Sequence, residues 1–319
     1  MARRTLGPAS LQVVQAVAGM LSDHHPEAAI VACSGGADSM ALAAATRHVC
    51  GAGVRAVVVD HGLQAGSAQL AAAVVERLAA IGVQGTVAAV TVTERGDGPE
   101  SAARDARLAA LAAARQGRPV LLGHTLDDQA ETVLLGLARG SGSRSLAGMA
   151  AVSGCFRRPL LGVRRSVTRA ACSEWGLTIW EDPHNADPRF RRSRIRLELM
   201  PEFERVLGPG VAEALARTAE LARDDADALD AAALSVADPA AATLDAAALS
   251  AAPRALRSRA IRAWLLLHGA QQPGFGQVRA VDALVSDWHG QAGVDLAGVT
   301  VRRRNGQLRV EDSAPGARL

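Results

Sequence analysis

The sequence contains no lysine: all 35 of its basic residues are arginine, against 32 acidic residues, which gives a formal net charge of +3. Every contact between a basic side chain and a phosphate must therefore come from a guanidinium, which is planar and permanently charged. Tyrosine is also absent, and aromatic residues make up only 3% of the chain. This composition gives no sign of a platform of stacked aromatic rings for single-stranded nucleic acid.

Cysteine is scarce, and long apolar runs are missing. The four cysteines form no C-x-x-C pair and lack the spacing of a zinc site: Cys33, Cys50, Cys155 and Cys172. Four thiols in 319 residues favour a reducing compartment and argue against a disulfide framework. No run of eighteen apolar residues and no secretory signal pattern occurs, so we expect a cytoplasmic protein with no membrane partner.

Apolar segments and helical patterns alternate along the N-terminal part of the chain. The predicted strands are residues 28–33, 54–60, 83–92 and 119–123, and the predicted helices are residues 39–49, 67–82, 99–117 and 127–140. This strict alternation predicts an α/β fold, in which a doubly wound parallel sheet is covered by helices on both faces. Ligands of such sheets bind at the carboxyl ends of the strands.

The composition changes after about residue 215. Residues 224–253 are alanine-rich and predict short helices, residues 254–269 predict a longer helix, and Asn305-Gly306 within residues 299–310 predicts a β-hairpin. We therefore expect two domains, residues 1–215 and residues 216–319, the second smaller and mostly helical with a terminal hairpin.

Residues 33–39, CSGGADS, join the first predicted strand to the first helix. Gly35 and Gly36 permit backbone angles closed to other residues, and the N–H groups of such a turn form an anion site with the first turn of the helix. Ser34 and Ser39 add hydroxyl donors. The Walker pattern is absent, and the chain has no lysine to complete one. We favour a phosphate-binding turn over a tight turn with no ligand.

The six residues SGGADS resemble the PP-loop of the ATP pyrophosphatases, a superfamily with an adenine nucleotide alpha hydrolase-like fold. There the loop holds the pyrophosphate part of ATP, and the chemistry is attack on the α-phosphate. The resemblance implies ATP and Mg²⁺ as cofactors, with Asp38 contacting the metal or the phosphate region, because a carboxylate beside phosphates needs a cation between them. The implied ATP-binding residues are Ser34, Gly35, Gly36, Ala37, Asp38, Ser39, Asp60 and His61.

Other stretches resemble the tRNA lysidine synthetases within that superfamily. They are GHTLDDQAETVLLGLARGSGSRSLAGM (123–149), VDHGL (59–63), ESAARDAR (100–107), RPLLGVRRSV (158–167) and WEDPHNADPRFRRSRIRLELMP (180–201). The resemblance implies an ATP-dependent carbon–nitrogen ligase. It would adenylate O2 of the wobble cytidine in an isoleucine tRNA with a CAU anticodon, and free lysine would then displace AMP at C2. The resulting lysidine changes the codon read from AUG to AUA.

Within this resemblance, the implied catalytic residues are Asp38, Asp128, Arg104 and His124, and the implied lysine-binding residues are Asp127, Asp128 and Glu131. A carboxylate beside the incoming amine can act as ion partner or base. An arginine can stabilise charge on the transferring phosphate. Simpler interpretations remain open. Asp127 could be an acid that only stabilises the helix dipole, and His124 a buried histidine with a structural role. Arg104 and Arg107 could be a solvated surface pair, and Asp60 and His61 ordinary polar residues at the end of a strand.

Residues 189–196, RFRRSRIR, carry five arginines in eight positions. With tRNA implied, we favour phosphate contact over a solvated face, and such binding should weaken steeply with salt. The implied tRNA-binding residues are Arg107, Arg191, Arg192, Arg194 and Arg196, of which Arg192 and Arg196 are expected to face the active site. A further hypothesis is that the acceptor side of the tRNA is bound by Arg254, Arg257, Arg259, Arg262 and Arg302 to Arg304. The alternative is that these are ordinary arginines on a helix surface.

Two rival functions stay open at this point. For the oligomeric state, we expect either a monomer or a homodimer. A tRNA thiolase of the same superfamily would need cysteines to carry sulfur, usually as a C-x-x-C pair. A non-catalytic protein that binds ATP or RNA would be expected to have lost Asp38 or the pair Asp127-Asp128, and all three are present.

Overall fold

The computed structural model describes residues 6–22, 29–62, 66–91, 99–140, 142–182 and 187–312. Within these ranges the chain forms two compact units. The first comprises the described residues up to Val133 and those from Met149 to Arg217, and the second comprises Leu134–Gly148 and the described residues from Thr218 onward.

The first unit is built on a six-stranded sheet in the order β3-β2-β1-β4-β6-β5. Its strands are β1 (Ile30–Ala32), β2 (Arg55–Asp60), β3 (Gln84–Ala89), β4 (Val120–Leu121), β5 (Val152–Ser153) and β6 (Phe156–Arg157). All neighbouring pairs are parallel except β5 with β6. The predicted α/β class with a mostly parallel sheet is confirmed, and each of the four predicted strands contains an observed strand.

Helices lie on both faces of this sheet because strand side chains alternate between two apolar cores. Val31 and Val58 pack with the larger core, while Ile30 and Val57 pack with Leu111 in the other. The helices of this part of the chain are α1 (Pro8–Leu21), α2 (Ala37–Cys50), α3 (Ser67–Ala80), α4 (Pro99–Ala114), α5 (Leu126–Arg139), α7 (Arg165–Trp175), α8 (Arg191–Arg194) and α9 (Met200–Leu207). A short 3₁₀ turn (Gly51–Gly53) follows α2, and one π-helical turn (Ile195–Leu199) joins α8 to α9.

The second unit has its own core beneath a four-stranded antiparallel sheet. Its strands, in the order β7-β10-β9-β8, are β7 (Thr243–Asp245), β8 (Val294–Leu296), β9 (Val299–Arg304) and β10 (Gln307–Asp312). The remaining helices are α6 (Ser143–Leu146), α10 (Val211–Ala233), α11 (Ala246–Ala251), α12 (Arg254–Leu267) and α13 (Phe275–Ser286). The predicted hairpin is confirmed: Asn305 and Gly306 have φ angles of 49° and 77°, as its two-residue turn requires.

Two expectations for the C-terminal part of the chain differ from the structure. Residues 224–233 belong to the continuous 23-residue α10 rather than to a short helix, because alanine is the strongest helix former, whereas the six-residue α11 is a short helix as predicted. Arg257, one of the arginines considered for tRNA contact, is buried and paired with Asp282, with Nε 2.5 Å from Oδ1. None of the described helices is long and apolar enough to cross a membrane.

Candidate active site

A cavity of about 810 Å³ opens at the carboxyl ends of β1, β2 and β4. Its lining includes the CSGGADS turn except Gly35, Asp60 at the end of β2 with His61 after it, and His124 after β4. Arg107 on α4, Asp128 on α5 and Arg165 on α7 add charged side chains from three helices. The parallel sheet thus brings the strand-end motifs into one cleft, as expected for an α/β fold.

The glycine turn uses its two glycines differently. Gly35 has φ +85°, and a Cβ there would lie 2.5 Å from Val74 Cγ2 on α3. Gly36, the N-cap of α2, has φ −75° and ψ 163°, which other residues also adopt. The left-handed freedom inferred for both glycines is therefore required only at Gly35.

The two serines of the turn also differ. The Ser39 hydroxyl donates to the Gly36 carbonyl at 3.0 Å and accepts from the Ser34 N–H at 3.2 Å, so it holds the turn in shape. Ser34 is exposed in the cleft, with its hydroxyl 3.3 Å from that of Ser39. A segment downstream of α7 fixes the other side, where the Trp180 N–H donates to the Gly35 carbonyl at 2.8 Å. The turn is thereby rigid before any ligand binds.

Asp38 lies in the first turn of α2 and lines the cleft. The Thr168 hydroxyl donates to its Oδ1, and Arg165 Nε lies 3.4 Å from its Oδ2. Burial raises the pKa of Asp38 above its usual value, and Thr168 and Arg165 offset only part of that rise. A partly desolvated carboxylate of this kind favours a cation as partner.

The acids at the start of α5 begin with a helix cap. Thr125 precedes the helix, and its N–H and hydroxyl donate to Asp128 Oδ2 at 2.8 and 2.9 Å. Burial alone would raise the pKa of Asp128, but the neighbouring Arg165 and these hydrogen bonds outweigh it, so the pKa lies below its usual value. Asp128 is therefore ionised at neutral pH.

Glu131, one turn further along α5, is almost fully buried and surrounded by arginines. Arg196 Nε lies 2.8 Å from Oε1, Arg165 Nη1 lies 3.3 Å from the same oxygen, and Arg192 Nη1 lies 3.8 Å from Oε2. Asp127 Oδ2 accepts the backbone N–H of Arg165 at 2.7 Å. The structure thus brings Arg192 and Arg196 to the predicted acids, while Arg191 and Arg194 are exposed.

One arginine of the cleft has no acidic partner among the described residues. Arg107 lines the cavity, and no carboxylate of the described residues forms an ion pair with it. Burial lowers the pKa of Arg107, and the charges of Arg104 and Arg192 lower it further, although an arginine remains charged at neutral pH. Arg104 itself is exposed and does not line the cleft. Arg107 is therefore the better-placed arginine for an anion in the cavity.

His124 is held as a neutral hydrogen-bond donor. Arg158 Nε lies 3.2 Å from His124 Nδ1, and since arginine can only donate, Nδ1 is the acceptor and the ring proton resides on Nε2. Burial lowers the pKa of His124 to about 4, with Arg158 and Arg107 adding to this effect against the opposing charge of Asp128. His124 can thus donate from Nε2 to a ligand but cannot accept a proton there.

A stability test follows from that pKa. In the unfolded chain His124 binds a proton below about pH 6.5, and in the folded protein only near pH 4, so stability falls as the pH drops between these values. We expect His124 to contribute roughly 2 kcal/mol to the loss between about pH 7 and about pH 5. The His124→Gln variant, which keeps a donor near the Nε2 position, should lose less stability on acidification. Urea unfolding at about pH 7 and about pH 5 measures the difference; equal losses in both proteins would contradict the assignment.

Asp60 and His61 occupy the rim at the end of β2. Asp60 Oδ1 accepts the Gly62 N–H at 3.0 Å, and that hydrogen bond is the main reason that its pKa lies below the usual value. His61 has a buried Nδ1 with no partner among the described residues. Asp60 therefore shapes the turn, while His61 has a ring nitrogen left for a ligand.

Sequence reasoning missed three positioning residues: Arg165, Thr168 and Arg158. Thr168 and Arg165 lie on α7, a helix that the sequence analysis did not predict. They contact Asp38 although they are 130 and 127 positions away from it in the chain. Arg158 lies within the quoted stretch RPLLGVRRSV, but nothing in the stretch shows that it faces His124. Their spacing carries no local signal, so only the fold reveals them.

The site suits a Mg²⁺ ion that the protein binds together with the phosphates of a nucleotide. This ion is usually held by one or two carboxylates together with substrate phosphates and water. Asp38 provides such a carboxylate beside the glycine turn. In the described ranges, no three His, Cys, Asp or Glu side chains are placed to hold a metal by themselves. The chain's own residues therefore fit an ion that arrives with phosphates.

Comparison with known proteins agrees with the fold and the cleft. Residues 9–203 match the family described as a PP-loop domain, and residues 244–309 match the family described as a TilS substrate binding domain. Among solved structures, a U34-tRNA thiolase from Methanococcus maripaludis superposes with a TM-score of 0.56 at 18% identity, covering 67% of this chain and 80% of that one. That likeness concerns the fold alone. The match to the PP-loop family identifies the protein as an ATP-using enzyme.

Curated relatives narrow the class further. The tRNA(Ile)-lysidine synthase of Nocardia farcinica is 55% identical, covering 89% of this chain and 91% of the relative. Those of Rhodococcus erythropolis and Streptomyces coelicolor are 51% and 54% identical, covering 94% and 87% of this chain and 95% and 83% of the relatives. The chain belongs to the tRNA(Ile)-lysidine synthase family.

Proposed function

We propose that the protein joins free lysine to C2 of the wobble cytidine in an isoleucine tRNA with a CAU anticodon, at the expense of ATP. The observation that carries this proposal is a pair of adjoining cavities in the first unit. The larger one suits a nucleotide, and a second one of about 210 Å³ suits an amino acid. Arg165 and Arg196 belong to both linings.

In the first step, O2 of the cytidine attacks the α-phosphate of ATP. A bond forms between O2 and phosphorus, the bond to the β-phosphate oxygen breaks, and pyrophosphate leaves. The Arg107 guanidinium, the His124 Nε2–H and the N–H groups of the glycine turn oppose the negative charge that grows on the phosphate. Mg²⁺ would neutralise phosphate charge next to Asp38.

The smaller cavity fits the zwitterion of lysine. Its lining offers carboxylates (Asp127, Glu131, Glu204), guanidiniums (Arg164, Arg165, Arg196) and the apolar surfaces of Met200 and Pro201. Carboxylates can bind the ammonium groups of lysine, a guanidinium can bind its carboxylate, and the apolar residues can cover its methylene chain. This arrangement supports the assignment of Asp127 and Glu131 to lysine binding.

In the second step, the ε-amine attacks C2 of the adenylated cytidine, and the C2–O2 bond breaks as AMP leaves with O2. The amine must lose its excess proton before or during attack. Asp128 is ionised, lines the larger cavity and lies on the same helix as Glu131 of the smaller one. We assign to Asp128 the role of ion partner and proton acceptor for the ε-amine.

The exposed arginines beside the cleft would bind the tRNA backbone. Arg191 and Arg194 are exposed on α8, whereas Arg192 and Arg196 turn inward to Glu131. Contacts of this kind carry no sequence information but position the anticodon loop, and they weaken as salt rises. Because tRNA is a cytoplasmic substrate, we expect the protein to act in the cytoplasm.

Three of the four cysteines do not favour the thiolase alternative. Cys33, Cys50 and Cys172 are buried. Burial raises the pKa of the Cys33 thiol and raises that of Cys172 to about 12, with the charge of Asp38 adding to the latter. Sulfur transfer requires a thiolate, and these thiols stay protonated at neutral pH.

The deciding experiment supplies the purified protein with ATP, Mg²⁺, radiolabelled lysine and a transcript of an isoleucine tRNA with either a CAU or a GAU anticodon. Lysine should be retained on the CAU transcript alone, and the Asp38→Ala variant should retain none. Retention on neither transcript by a protein that still binds ATP would overturn lysidine formation. Pyrophosphate release against a tRNA pool would then identify a pyrophosphatase with another substrate.

A further inference from the structure

Arg165 is the point at which the acidic residues of the site meet. It is the first residue of α7, and each of its three guanidinium nitrogens faces a different carboxylate. Nη2 lies 2.5 Å from Asp128 Oδ1, Nη1 lies 3.3 Å from Glu131 Oε1, and Nε lies 3.4 Å from Asp38 Oδ2. One side chain therefore links the glycine turn on α2 to the acids on α5.

These carboxylates lie close enough to need a shared cation. A single guanidinium lies 3.4 Å from Asp38 Oδ2 and 2.5 Å from Asp128 Oδ1, so these two acids share one positive charge. The side chains of Arg165, Asp38 and Asp128 are each less than one quarter exposed, so water screens their charges only partly. Without the guanidinium, like charges would drive Asp38 and Asp128 apart or hold a proton between them.

The reaction brings other cations to the same oxygens. If the proposed function is right, Asp38 faces the cation bound to ATP, while Asp128 and Glu131 receive the ammonium of lysine. Only the contact with Asp128 is short, and the contacts with Asp38 and Glu131, at 3.3 to 3.4 Å, are long for charge-assisted hydrogen bonds. Two of the three contacts of Arg165 can therefore be given up at little cost.

We propose that Arg165 is an internal counter-cation that keeps Asp38, Asp128 and Glu131 together in the unloaded site and gives up Asp38 and Glu131 to the incoming cations. It acts as a positioning residue, through the carboxylates. The role also couples the two cavities. Once a nucleotide-bound cation satisfies Asp38, the guanidinium is free to move off Glu131, and the lysine cavity becomes easier to fill. The nucleotide should therefore raise the affinity for lysine.

The first test needs neither lysine nor tRNA. Binding of Mn²⁺, an oxygen-seeking cation with an electron paramagnetic resonance signal, is measured without nucleotide in the wild type, Arg165→Gln, Arg165→Lys and Arg47→Gln. Arg47 is a matched control at the far end of α2, where it donates to the Gly82 carbonyl. Arg165→Gln should bind Mn²⁺ at least about tenfold more tightly than the wild type, because Asp38 and Asp128 lose the guanidinium that lies between them. The other two variants should resemble the wild type.

Equal Mn²⁺ binding by the wild type and a folded Arg165→Gln protein would overturn the proposal. The second test uses equilibrium binding of lysine with and without Mg²⁺ and a non-hydrolysable ATP analogue. The wild type should bind lysine more tightly with the nucleotide, and Arg165→Gln should bind it equally in both conditions. A wild type with no such coupling would also overturn the proposal, even if Arg165→Gln fails to fold. A wild type that binds no lysine would instead contradict the proposed function, and the Mn²⁺ result would still decide the role of Arg165.

Discussion

Arg107→Gln is expected to slow pyrophosphate release by about 10²- to 10³-fold, the usual cost of removing one preorganised group that stabilises transition-state charge. Arg107 lines the cleft without forming an ion pair with any carboxylate of the described residues, so its full charge is available to an anion. The loss should appear in kcat more than in the KM for ATP, because the interaction strengthens as charge develops on the α-phosphate. Single-turnover assays with ATP and the CAU transcript measure it directly.

Two other arginines, Arg104 on α4 and Arg115 just past its end, make this prediction specific. Arg115 directly follows the last residue of α4, about 12 Å from Arg107 along the helix axis. Arg115→Gln should therefore leave the rate unchanged. Arg104→Gln removes an exposed charge that acts on His124 and Arg107 only at a distance, so its effect should be much smaller than that of Arg107→Gln. A larger loss for Arg104→Gln would show that the exposed arginine moves into the cleft on substrate binding and would reverse the assignment.

The framework of the first unit could be predicted because its signals are local. Strand periodicity, helix ends and the glycine turn each depend on residues within a few positions of one another, and the alternation of strands and helices then restricts the topology to a parallel sheet. The antiparallel β5–β6 pair, with two residues in each strand, has no such signal. In the second unit, β7 and β8 are three residues long and are defined by their partners rather than by their own sequences.

The candidate site divides in the same way. Asp127, Asp128 and Glu131 could be found because they lie within one turn of a predicted helix, and His124 because it follows a predicted strand. The sequence did not reveal that Arg158 would fix the tautomer of His124, or that Arg165 would bridge α2 and α5. Those roles depend on α7 packing against α2 and on the position of the segment that follows β6, which are properties of the whole fold.

The sequence motif of the glycine turn does not reveal the backbone conformation of each glycine. The sequence presents Gly35 and Gly36 as equivalent, whereas the structure gives Gly35 a left-handed backbone and a close neighbour and gives Gly36 an ordinary extended backbone. A Cβ on Gly36 would have its nearest neighbours, Ser34 Oγ and the Trp180 carbonyl, at 3.8 Å. The two positions can therefore be separated by experiment.

Gly35→Ala is expected to weaken ATP binding by about ten- to a hundredfold, which corresponds to a backbone strain of roughly 1–3 kcal/mol at the loop. The methyl group must overcome both the left-handed φ of +85° and a contact of 2.5 Å with Val74 Cγ2, so the turn has to shift. The free energy of unfolding should fall as well, because α3 is displaced. Calorimetric titration with an ATP analogue and urea unfolding measure the two effects.

Gly36→Ala is the matched control, since it adds the same methyl group one residue away without strain. Its free energy of unfolding should stay within about 0.5 kcal/mol of the wild type, as for substitutions that break no special feature. If Gly36→Ala binds ATP weakly while remaining stable, the methyl group meets the phosphates themselves, and the backbone of Gly36 forms part of the anion site. If it loses as much stability as Gly35→Ala, the distinction between the two glycines is wrong, and so is the geometry assigned to the turn that holds Asp38 in the cleft.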